Sequence, residues 1–120
     1  MDNQDNSLTV LVVGNIEDFL AQKHKLPEIA DTVFCEISDL DQEFMEAHKP
    51  DIILSPLVTS QFDVMELAIT LDQLDFAGRF RAITAPLPNP ELISTEIRFE
   101  CPALDFDLII LQPNQILRSI

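Results

Sequence analysis

The chain has no tryptophan and no tyrosine, so it lacks the stacking platforms with a polar handle on which bases and sugars usually rest. Its only glycines are Gly14 and Gly78, which excludes a glycine-rich loop able to cradle a nucleotide phosphate. Basic residues are scarce: 7 Lys and Arg stand against 21 Asp and Glu, for a net charge of −14. Such a surface repels phosphate backbones and anionic headgroups, and the pairs Lys23/Lys25 and Arg79/Arg81 are too sparse to form a basic stripe. Neither nucleic acid nor membrane is expected as a direct ligand.

No apolar run approaches the roughly 20 residues that a membrane helix needs. The start, 1–7, is polar and acidic and has none of the features of a secretory signal, so it is expected to be flexible and the protein cytoplasmic. The two cysteines, Cys35 and Cys101, belong to no CxxC motif and are expected as reduced thiols in or near the core. His24 and His48 fall near the ends of helical segments, where a cation suits the dipole, and neither has a ligand or orienting partner at motif spacing. Acid pairs such as Asp39/Asp41 and Asp72/Asp75 read as solvated helix faces.

What remains is enough for one globular domain over 1–120, with 47% hydrophobic residues and 8 Phe to fill a core. Short β-branched runs alternate with helical patterns. Strands are expected at 8–13, 32–37, 52–54, 80–84 and 106–111. Ile16, Phe19 and Leu20 mark a first helix over 16–25, with acids in its first turn and bases in its last. Ser38 with Asp41 suggests a capping box for a second helix reaching His48. Ser60 with Asp63 suggests another before Val64, Leu67, Ala68, Leu71 and Leu74, with Gly78 placed to stop that helix. A short fourth helix is expected over 91–98, with Asn89 as cap and Pro90 at its first position. Ser55-Pro56 and Gln112-Pro113 are expected to close the third and fifth strands.

Strands alternating with helices imply an α/β fold with a doubly wound parallel sheet, whose ligand crevice lies beyond the carboxyl ends of the strands. Those ends are marked by Gly14, Asn15, Ser55, Pro56, Thr84, Ala85, Gln112 and Pro113.

Leu-Val-Val at the end of the first strand, Lys49-Pro50-Asp51-Ile-Ile-Leu at the third, Ile83-Thr84-Ala85 at the fourth and an X-Pro at the fifth occur in an order that resembles a response-regulator receiver domain. The resemblance covers nearly the whole chain and implies a flavodoxin-like, three-layer α/β/α fold with five strands in the order 2-1-3-4-5. It also implies a degenerate site. Receivers hold Mg²⁺ with acids after the first strand, where this chain has Gly14 and Asn15; neutral groups do not replace the anionic oxygens that ion requires. The phosphoacceptor position falls on Pro56, or on Ser55 with a one-residue slip. Proline has no nucleophile, and serine needs a base that its sequence neighbours do not supply. Thr84 matches the family's switching hydroxyl and is equally explained as a β-branched strand end. Gln112 replaces the family's lysine, and the Gln112-Pro113 bond is expected to be cis as it is in receivers.

After the fifth strand only Ile116, Leu117 and Ile120 offer apolar cover, so the last helix is expected to be short or missing and one sheet face partly bare. That predicts a homodimer or a protein partner using the fourth-helix, fifth-strand and C-terminal surface. The expected function is a non-enzymatic pseudo-receiver in signal transduction of the two-component type, acting by protein-protein contact, independent of aspartyl phosphorylation, with no cofactor and no metal. The alternative is a small-ligand binder or enzyme using the strand-end crevice through neutral groups.

Overall fold

A computed structural model describes residues 8–14, 31–57, 59 and 62–111. It contains five strands: β1 (Thr9–Val13), β2 (Asp31–Cys35), β3 (Ile52–Pro56), β4 (Arg79–Thr84) and β5 (Asp105–Ile110). Among the described residues, three α-helices lie between them: α1 (Gln42–His48), α2 (Val64–Gln73) and α3 (Pro90–Glu100). All neighbouring strands pair in parallel, in the order β2-β1-β3-β4-β5. This is the flavodoxin-like α/β topology expected from the sequence.

The central strands β1 and β3 form where the apolar runs are continuous because both of their faces are buried, whereas Phe34 on β2 and Ile110 on β5 remain 48% and 41% exposed. Leu11, Val13, Ile53, Phe80, Ala82 and Phe106 point to one face, where α1, α2 and α3 cover them with Met45, Leu67, Ala68, Leu71 and Ile97. Phe80 and Phe106, directly opposed across β4 and β5, stack at 5.2 Å between ring centroids. Val10, Val12, Ile52, Leu54, Ile83 and Leu111 occupy the other face and are also buried. At these positions the second face is therefore not bare, as central parallel strands require. The expected first helix over 16–25 and the segment after Leu111, with Ile116, Leu117 and Ile120, lie outside the described residues.

Several local expectations are corrected. The second helix is capped by Asp41, whose carboxylate accepts from Phe44 N at 2.8 Å, and not by Ser38, which falls inside a 3-10 turn over Ile37–Asp39. That turn forms because the Asp39 carboxylate reaches back to Glu36 N at 2.9 Å. Likewise Asp63 itself caps α2, accepting from Glu66 N at 2.8 Å; Ser60 is outside the described residues. Asn89 precedes α3 with Pro90 at its start, yet its side chain makes no cap hydrogen bond. Helix α3 spans 11 residues and is not short, since Phe99 and Glu100 continue it to Cys101.

Gly78 does not stop the helix. Helix α2 ends at Gln73, Leu74 N closes the last turn, and Asp75 takes the left-handed conformation at φ 58°. Gly78 is required for a different reason: a β-carbon there would collide with the Asp51 carbonyl oxygen. Ser55 and Pro56 do not close β3 but belong to it. Pairing with β1 ends at Val12 and Leu54, and on the other side Leu57 N donates to Ile83 O at 2.9 Å, so the proline interrupts no ladder bond described here.

Candidate functional site

The carboxyl ends of β1, β3 and β4 bring Gly14, Ser55, Pro56 and Thr84 to one edge of the sheet. Gly14 follows β1 directly and adopts φ 125°, a region that side chains rarely enter; its N–H donates to Cys35 O at 3.1 Å. Its missing side chain also makes room for a neighbour. A β-carbon at Gly14 would stand 3.1 Å from Pro56 Cδ and 3.7 Å from Phe62 Cζ. The proline ring and the phenylalanine thus occupy the space in front of the first strand, next to the position where the resembled family presents its acids.

Ser55 and Pro56 are both buried. Ser55 is fully buried on the face covered by the helices, and among the described residues its hydroxyl has no hydrogen-bond partner. Thr84 is 7% exposed, and its hydroxyl donates to Ala85 O at 2.9 Å, so the group matched to the switching hydroxyl is engaged with the adjacent backbone. Just past the end of β5, Leu111 N donates to Thr84 O at 2.9 Å. Asn15, Gln112 and Pro113, including the peptide bond expected to be cis, lie outside the described residues.

Among the described residues, Gly14, Glu36, Ile37, Ser38 and Phe62 line a cavity of about 40 Å³ at this edge. Glu36 and Phe62 were not singled out in the sequence. Phe62 stands in a connection with no periodic pattern, and only its contact with Gly14 assigns it a place. Among the described residues no group of three or more His, Cys, Asp or Glu is arranged to hold a metal ion. Asp39 and Asp41 are instead used as acceptors for backbone N–H groups. His48 sits in the last turn of α1, its ring 4.3 Å from that of Phe44; His24 is outside the described residues.

Both cysteines are free and buried. Burial, with Asp39 and Glu36 nearby, pushes the Cys35 thiol up to about 12. Burial, with Asp72 and Glu100 nearby, raises Cys101 as well. Both shifts favour the protonated thiol over the nucleophilic thiolate.

The basic residues are drawn into the frame. Arg81 donates to Asp105 O at 2.9 Å and pairs with the Asp105 carboxylate at 3.2 Å. Arg98 donates to Phe106 O at 3.1 Å and stands 3.6 Å from the Asp107 carboxylate.

A second feature escaped the sequence reading. Leu92 and Phe99 on α3 are 63% and 81% exposed, while Ser94, Ile97 and Cys101 turn to the core. Beside Phe99, an open groove of about 590 Å³ is lined by Met65 of α2 and by Thr95, Glu96, Phe99 and Glu100 of α3. The signal was present as apolar residues on two faces of one helix, Ile93 and Ile97 against Leu92 and Phe99. No helix among the described residues is long and apolar enough to cross a membrane. A scan of protein-family models finds no match to this chain, and a search of curated proteins finds none either.

Proposed function

We propose that the chain is a non-catalytic, receiver-like signalling module that works by protein-protein contact and does not depend on aspartyl phosphorylation. The observation that carries this reading is that the Pro56 ring stands against the space a side chain at Gly14 would take. Where receivers set acids after the first strand and a phosphoacceptor at the end of the third, a proline ring here closes on a glycine. Two further observations support it. The only hydroxyl nucleophile in β3, Ser55, is fully buried, and the Thr84 hydroxyl is held by Ala85 O. Aspartyl-phosphate chemistry needs an accessible carboxylate and a cation beside it.

The test is incubation with Mg²⁺ and a small acyl phosphate, followed by intact-mass measurement before and after acid treatment. No acid-labile phosphate adduct is expected; a stoichiometric one overturns the reading.

A further inference from the structure

The groove between α2 and α3 combines two properties that rarely coincide on a solvated helix pair. One is apolar. Phe99 of α3 and Met65 of α2 line the groove, and Leu92, seven residues before Phe99 and outside the lining itself, lies on the same outward stripe of α3 about 10 Å away. Phe99, 81% exposed, adds its ring to this exposed apolar surface, and contiguous surface of that kind is what partners cover. The other property is charge. Glu96 and Glu100 line the groove, and both are exposed. The cation of α3, Arg98, is turned to the opposite side of the helix, where it engages Phe106 O and Asp107. The groove thus combines the apolar Met65 and Phe99 with the acidic Glu96 and Glu100.

We infer that this groove docks a basic amphipathic helix of a partner protein, with two apolar side chains two turns apart meeting Leu92 and Phe99 and with Lys or Arg on its flanks meeting Glu96 and Glu100. The inference rests on the protein-contact reading above and names its surface and partner chemistry. Charge decides between occupants. A second copy also carries a net charge of −14, and a twofold pairing of this face sets Glu96 and Glu100 against acids of the same kind. A basic helix removes that repulsion and covers Phe99 in the same step, which is the helix-in-groove mode with anchors at i and i+7.

The test uses two synthetic helical peptides with leucines seven residues apart, one flanked by lysines and the other by glutamates, titrated into the full chain by calorimetry and by amide chemical-shift mapping. The lysine peptide is expected to bind and to shift amides of α2 and α3, and the glutamate peptide is expected not to bind. Phe99→Ser, at an exposed position that leaves the core intact, is expected to weaken binding by about tenfold or more, as for a central apolar anchor. The double change Glu96→Lys with Glu100→Lys is expected to reverse the preference between the peptides. Lysine-peptide binding that ignores Phe99→Ser is attraction to the overall negative charge and overturns the inference. Equal binding of both peptides overturns it too, as does a dimer in light scattering that Phe99→Ser dissolves, since the occupant is then a second copy. The phosphorylation test is independent: an acid-labile adduct sinks the reading of the strand-end site and leaves the groove result standing, while failure at the groove leaves the strand-end reading standing.

Discussion

The carboxylate of Asp51 accepts a hydrogen bond from the backbone N–H of Thr9 at 2.8 Å. Asp51 N donates in return to Thr9 O at 2.8 Å, and Arg79 N donates to Asp51 O at 3.0 Å. One residue thus ties together the starts of β1, β3 and β4, at the end of the sheet away from the crevice. The Pro-Asp before the third strand, part of the resemblance to receivers, has a structural explanation in this chain. Asp51→Ala is expected to lower stability by about 1 kcal/mol, the usual net worth of such a bond, while Asp51→Asn retains an acceptor and loses less. Urea denaturation midpoints of the two variants check the order.

Gly78 completes the same junction, because the Asp51 carbonyl occupies the space of its missing side chain. Gly78→Ala forces the two backbones apart and is expected to cost about 1–3 kcal/mol, as overpacking does. The effect should appear in thermal unfolding. A stability equal to wild type shows that the junction opens freely.

Ser55 offers a test of opposite sign. Its hydroxyl is fully buried and, among the described residues, unpartnered, so Ser55→Ala removes a desolvated polar group with little loss of volume. It is expected to be neutral or stabilising by up to about 1 kcal/mol. Ser55→Asp, which places a carboxylate at the slipped phosphoacceptor position, buries an unpaired charge and is expected to destabilise by about 3 kcal/mol or more. If Ser55→Asp folds as stably as wild type, the site retains a cationic environment and the reading of a degenerate site fails.

The cysteines predict an alkaline limit. With the Cys35 thiol raised from 9.0 to about 12 in the folded protein, both states hold the proton below about pH 9 and the full stability is present. Between about pH 9 and 12 only the unfolded chain releases it, so stability falls by up to about 1.4 kcal/mol per pH unit from this group. Denaturation midpoints measured across that window should fall less steeply in Cys35→Ala than in wild type. At neutral pH, a thiol-reactive probe should label neither Cys35 nor Cys101 until urea unfolds the chain.

The parts of the fold legible in the sequence were those with local causes. Val10 to Val13 and Ile52 to Leu54 read as buried strands because each run is continuously apolar. Helix α2 read as a helix because Val64, Leu67, Ala68 and Leu71 recur at its period. The caps were misplaced by a few residues, since Ser38 and Asp41, or Ser60 and Asp63, compete for the same role and only backbone geometry chooses the aspartates. Phe99 was missed because a helix with apolar residues on two faces does not say which face meets the sheet.

By itself the sequence determined the order of strands and helices and the neutral character of Gly14, Asn15, Ser55, Pro56 and Gln112, because residue type and local period are written in the chain. Tertiary structure alone decided that Pro56 closes on Gly14, that the Ser55 hydroxyl is sealed, that Gly78 serves Asp51 and that Phe99 faces solvent. Each of these depends on residues brought together from distant points of the chain. The physical reason is that burial and close approach are set by packing between elements, on which the local pattern of any one element is silent.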